Sequence, residues 1–198
     1  MSMTSDPRSL NTSSSPGGDG GRSQGENPTD HEDPPVSGAG SGCVAEVTDA
    51  TGRVSEAEAS WLADMASRAV AAIGLSGSLR VRIVGDDEMA AAHQEFLDDP
   101  TTTDVLTFDM SDEQGLDADL MACLDEAERR SRELGHQRRE ELLLYIVHGV
   151  LHCAGFDDHE EHARRRMHHR EDEVLRMIGV GPVFDRVSGS RGAEGDRP

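Results

Sequence analysis

Residues 138 to 154 carry apolar side chains on nearly every side of a helix, so this segment must lie at the centre of the fold. Its unbroken apolar run, Leu142 to Val147, is the longest in the chain, far short of the ~20 residues that cross a bilayer. Two histidines, His148 and His152, stand at its far end. Four residues apart on a helix, they point the same way, about 6 Å apart along the axis. Gly155 follows, where the chain can leave the helix through a left-handed conformation and double back.

The spacing H-x-x-x-H-x-x-G-x-x then delivers Asp158 as a third donor. This is the arrangement of metzincin-type zinc sites, with a carboxylate in place of the usual third His. His159, one residue later, is the competing donor and needs a slip in register. Three protein ligands leave a fourth position for water, whose pKa zinc lowers to about 7. Taken alone, H-x-x-x-H also fits two hydrogen-bonded core histidines; Gly155 and Asp158 tilt the reading towards a metal. Zinc proteases of the H-E-x-x-H kind place a general base after the first His; here that position is Gly149, which argues against peptide cleavage of that class. Cys153 is turned about 100° from His152 and reads as packing. His162, His168 and His169 read as a solvated helix face with Arg164, Arg165, Arg166 and Arg170, and His93 and His136 carry no signal. Asp104 and Asp157 are candidates for orienting a ligand histidine.

Around this helix the pattern predicts strand, helix, strand, helix, strand, strand, helix, helix, helix. Cys43 to Val47 reads as a short strand. Ser55 and Glu58 form a capping box before a stripe of Trp61, Leu62, Met65, Ala69, Val70 and Ile73 that Gly74 ends. Leu79, Val81 and Ile83 alternate with Arg80 and Arg82, as in a strand. Asp86 is expected to cap a short helix with Met89, His93, Phe96 and Leu97 inward. Thr103 to Phe108 and Asp117 to Ala122 read as strands, Asp125 as the cap of a helix closed by Gly135, and about 160 to 178 as the last helix. The fold expected is α/β (α+β): a small mixed sheet of about four strands packed with helices, with a metzincin-like metal helix.

Composition sets the boundaries. Residues 1–42 hold 8 Gly, 9 Ser and 5 Pro, and are expected to be a disordered tail, as are 188–198. A single domain is expected over 43–187. No positive segment followed by an apolar stretch opens the chain, and three Cys without a C-x-x-C pair make no disulfide framework, so a soluble cytoplasmic protein without membrane contact is expected. The formal charge is −20, and all 19 bases are Arg. That charge is unusual for a nucleic-acid binder. Arg129, Arg130, Arg132, Arg138 and Arg139, like Arg164 to Arg166 and Arg170, are clustered; such runs form a basic patch or, more commonly, a salt-bridged helix surface.

The segments His148 to Asp157 and Thr103-Asp-Val-Leu-Thr-Phe108, in this order, resemble the endoribonuclease YbeY family of ribosomal RNA maturation factors. Leu116 to Leu120 and Met167 with Arg170 to Leu175 support the resemblance, which covers about 80 to 180. It implies an α/β fold and one Zn2+ held by His148, His152 and Asp158. It also implies single-strand-specific RNA cleavage, maturation of the 3′ end of small-subunit ribosomal RNA, late ribosome quality control, and ribosomal RNA and ribosomal particles as partners. Many members carry His where Asp158 stands, and often an Arg, thought to engage RNA phosphate, where Leu97 stands; Arg80 or Arg82 is a possible substitute for that Arg. Two other functions fit the same residues: a non-catalytic ribosome assembly factor with a structural zinc, and a different zinc hydrolase.

Overall fold

The computed structural model describes residues 42–182. The expectations for residues 1–41 and 183–198 lie outside the described residues.

The elements follow the expected order: β1 (Cys43–Asp49), α1 (Glu56–Ile73), β2 (Gly77–Val84), α2 (Asp86–Leu97), β3 (Val105–Asp109), β4 (Leu116–Cys123), α3 (Leu124–Leu134), α4 (Arg138–Cys153) and α5 (Glu161–Met177). The strands form a mixed sheet in the order β1-β2-β4-β3, in which β1, β2 and β4 run parallel and β3 is antiparallel to β4. This is an α/β fold. Alternation along β2 sorts its two faces: Leu79, Val81 and Ile83 are buried under the helices, while Arg80 and Arg82 lie on the opposite face.

α1 begins where the Ser55 hydroxyl accepts from the Glu58 amide at 3.2 Å and ends at Gly74, whose φ of 97° suits glycine. Its buried stripe of Leu62, Met65, Ala66, Ala69, Val70 and Ile73 joins α4 and the sheet in one core. α4 is the most enclosed helix, with Leu142 to Val147 all buried. Gly149 lets it lie directly on the sheet: a Cβ there would meet Thr107 Oγ1 at 2.8 Å and Leu120 Cδ2 at 2.9 Å. The position that carries the base in H-E-x-x-H proteases therefore faces the sheet.

Three local expectations are corrected. Asp86 does not cap α2 but is its first helical residue, the N-cap being Gly85 without a side-chain hydrogen bond. Asp125 does not cap its own helix, whose N-cap is Cys123; it caps α2 from outside, accepting from the Asp86 amide at 2.9 Å and from Arg53 Nη2 at 2.6 Å. Phe96 and Leu97 do not turn inward but are 56% and 62% exposed, because α2 packs on the sheet only through its first turns, by Met89 and Ala92. The arginine runs, by contrast, follow the commoner of the two readings and are largely salt-bridged surface. Arg129 pairs with Asp86 and Glu126, Arg130 with Glu133, Arg132 with Glu128, Arg138 with Glu58 and Glu128, Arg165 with Glu161 and Arg170 with Glu173. Arg139 stacks over Trp61 at 4.8 Å. Among the described residues no helix is long and apolar enough to cross a membrane.

Candidate metal centre

α4 ends in a turn that the sequence dictates. Gly155 adopts φ 87°, its amide donates to His152 O at 3.0 Å, and the Phe156 amide donates to Leu151 O at 3.0 Å. The Phe156 ring is buried and pins the turn to the core. The Asp157 carboxylate then accepts from the amides of Asp158 and His159 at 2.7 and 3.2 Å, bending the chain back over α4.

That bend sets Asp158 against the two histidines. The Nε2 atoms of His148 and His152 are 3.0 Å apart; Asp158 Oδ2 is 3.8 Å from the first, and its Oδ1 is 3.9 Å from the second. Ligand atoms about 2.0–2.1 Å from a tetrahedral zinc stand about 3.3 Å from one another, so the three observed separations bracket what an ion needs.

The tautomers make the case chemically. His148 Nδ1 donates to Glu171 Oε1 at 2.6 Å, and His152 Nδ1 donates to the Phe156 carbonyl at 3.1 Å. Both partners are acceptors, so both Nδ1 atoms carry a hydrogen in the neutral rings, and both Nε2 atoms present lone pairs. Two lone pairs facing one another beside a carboxylate repel unless a cation lies between them. The residues fit a divalent metal with two imidazoles and one carboxylate as donors. Burial pushes the His148 imidazolium down, but the Glu171 carboxylate, with Asp104 and Asp158, outweighs this and holds its pKa above 6.5.

Glu171 was not legible as part of the centre. It lies 23 residues from His148, between His168-His169-Arg170 and Asp172-Glu173, yet its side chain is 1% exposed. Its place on α5, four residues after buried Met167 and four before buried Leu175, was the available signal. It plays the part expected of Asp104 or Asp157. Asp104 Oδ1 instead accepts from the Val105 amide and Thr103 Oγ1, and Asp157 shapes the turn.

A cavity of about 390 Å³ opens beside the donors, lined by Thr103, Asp104, Tyr145, His148, Asp158 and Glu171 among others. His168 also lines it, contrary to its expected place on a solvated face, whereas His162 and His169 are exposed as expected. The His159 side chain is 88% exposed, with Nε2 3.6 Å from Asp157 Oδ1. It belongs to a second, outer group with Asp157 and Asp158. Cys153 packs against the core, its thiol pushed up to about 12 by burial.

A family model described as Endoribonuclease YbeY matches residues 46–179. The chain is 36% identical over 114 residues to Endoribonuclease YbeY of Methylibium petroleiphilum, a match covering 58% of this chain and 76% of that protein. Identity is 38% over 112 residues to the protein of the same name from Aquifex aeolicus, covering 54% and 74%, and 34% over 111 residues to that from Acidothermus cellulolyticus, covering 49% and 68%. The matched span runs from β1 past the end of α5 and takes in both histidines, the Gly155 turn and Asp158; this chain belongs to the endoribonuclease YbeY family.

Proposed function

We propose that this chain is a zinc-dependent endoribonuclease specific for single-stranded RNA. It acts in the cytoplasm on ribosomal particles, in late quality control and in maturation of the 3′ end of small-subunit ribosomal RNA. One Zn2+ is held by His148, His152 and Asp158. The observation that carries this reading is the pair of Nε2 lone pairs 3.0 Å apart, with the Asp158 carboxylate beside them and a cavity in front.

Zinc bound there supplies Lewis-acid chemistry, polarising a phosphoryl oxygen and acidifying water. The chain's own residues do the rest. Glu171 and the Phe156 carbonyl keep the Nδ1 protons in place and fix the ring planes. Asp158 contributes negative charge, which softens the acidifying power of the site relative to three imidazoles. Three donors rather than four leave a position open towards the cavity, which favours a catalytic over a structural ion. Burial, with Glu141 and Asp104 nearby, raises the Tyr145 pKa, so that the hydroxyl stays protonated inside the cavity. Asp104, Glu126, Glu141 and Glu171 line the same space beside Arg130 and His168, so a bound cation favours entry of a phosphodiester. Since so many arginines are committed to ion pairs, tight RNA binding belongs to the ribosomal particle rather than to the isolated chain.

The test is cleavage of a single-stranded oligoribonucleotide by purified protein, with zinc and after chelation, beside His152→Ala and a duplex of the same sequence. Zinc-dependent cleavage of the single strand, lost in His152→Ala, is expected; cleavage that survives chelation contradicts the proposal. Product ends identify the attacking oxygen, because a 2′,3′-cyclic phosphate excludes direct attack by water in the first step.

A further inference from the structure

The cavity beside the metal donors is walled by acids. Asp104, Glu126, Glu141, Asp158 and Glu171 line it, and among its described lining residues Arg130 is the only Lys or Arg. His168 lines it too, but a histidine is not a permanent cation. Arg130 follows Glu126 by one turn of α3, so the two side chains share a face of that helix.

The acids around Arg130 are partnered elsewhere. Glu126 accepts from Arg129 Nε at 2.9 Å, Glu141 pairs with His136, and Glu171 accepts from His148. Asp104 Oδ1 accepts from the Val105 amide and Thr103 Oγ1. Arg130 pairs instead with Glu133, one turn further along α3, Nη1 to Oε2 at 2.9 Å. Both side chains of that pair are largely in water, 47% and 61% exposed, so it holds the guanidinium weakly. The neighbouring arginines are tied more firmly. Arg129 makes two contacts to Asp86 and one to Glu126, and Arg138 bridges Glu58 and Glu128. Arg132 has one printed partner type, Glu128, but does not line the cavity.

A phosphodiester entering this acidic space needs a cation besides the metal ion. A guanidinium presents paired N–H donors that match two phosphate oxygens. We propose that Arg130 is the phosphate-binding residue of the cavity: it exchanges Glu133 for a phosphate of the bound strand and holds that strand against the metal centre. Glu133 competes for the guanidinium and so tunes the affinity. The inference rests on the nuclease reading for the identity of the strand.

The experiment uses the full zinc-loaded chain and a short, fluorescein-labelled 2′-O-methyl oligouridylate, with binding followed by anisotropy from low salt upwards. Arg130→Gln is expected to bind ~10-fold more weakly at low salt. It is also expected to flatten the slope of log K against log salt by about 0.7, the share of one phosphate contact on a single strand. Arg132→Gln removes the same charge from the same helix outside the cavity, and should leave the slope unchanged. Arg130→Lys should keep the slope and lose part of the affinity. Glu133→Gln should tighten binding ~2–5-fold, whereas Glu161→Gln, which releases Arg165 outside the cavity, should not. All these side chains are substantially exposed, and every variant should carry as much zinc as the parent. No binding by the parent at low salt, an unchanged slope in Arg130→Gln, an equal drop in Arg132→Gln, a Glu133→Gln variant no tighter than Glu161→Gln, or loss of zinc from Arg130→Gln overturns the proposal. A parent that shows the expected slopes but leaves an unmodified strand uncut refutes the nuclease reading and upholds Arg130 as the phosphate site.

Discussion

Glu171 Oε1 lies 2.6 Å from His148 Nδ1, reaching from α5 to α4, and this contact decides which ring nitrogen faces Asp158. The carboxylate is 1% exposed, and its Oε2 has no hydrogen-bond partner. A buried acid with one oxygen idle is costly by itself; it is retained because it fixes the tautomer of a metal ligand.

Glu171→Gln is therefore expected to separate metal binding from folding. The amide no longer enforces a hydrogen on Nδ1, and zinc affinity should fall about 10–100-fold in a chelator competition. The metal-free variant should remain folded, with the lost pairing between His148 and Glu171 offset in part by removal of a buried carboxylate. Unchanged zinc affinity would show that the contact is only structural.

Gly149→Ala tests how closely α4 must lie on the sheet. The added methyl meets Thr107 and Leu120 below 3.0 Å, and Leu120 is 1% exposed, with little room to swing. Overpacking costs roughly 1–3 kcal/mol. The gain in helix propensity returns about 1 kcal/mol. A net loss of up to about 2 kcal/mol is expected in urea denaturation, together with weaker zinc binding, because the neighbouring His148 shifts with the helix. A variant more stable than the parent, with unchanged zinc binding, contradicts the packing described.

Asp125 supplies a pH-dependent prediction. The Asp86 amide, then Arg53, hold its carboxyl below the usual 3.8. A depressed folded pKa gives stabilisation that is fully present above the unfolded value and lost as pH falls through the folded one. Asp125→Ala should cost about 1 kcal/mol near neutrality, as loss of a helix cap does. The gap to the parent should begin to narrow as pH drops below about 4. Urea melts at about pH 7 and about pH 3 check this; a gap as wide in acid as at neutrality contradicts the assignment.

The element order and the paired histidines could be read from the sequence because each rests on local chemistry. Ser55 and Gly74 bound α1, alternation marks β2, and the Gly155 turn follows from its neighbours. What could not be read lies between elements. Nothing local says that β4 enters the sheet between β2 and β3, or that Asp125 caps a helix 39 residues away. Phe96 and Leu97 carry the helical period that usually means core, but α2 extends past the part of the sheet it covers, leaving them exposed. Glu171 and His168 were hidden by charged neighbours on α5. The helix buries one face against α4, and burial there depends on that partner rather than on local composition.

Comparison of Asp158→Ala with His159→Ala tests the central claim most directly. The metal content of each purified protein after zinc loading and desalting is the quantity to measure. Near-stoichiometric zinc in His159→Ala and little or none in Asp158→Ala is the predicted result. Retention of zinc by Asp158→Ala with loss from His159→Ala would contradict the account and move the third donor to the outer group.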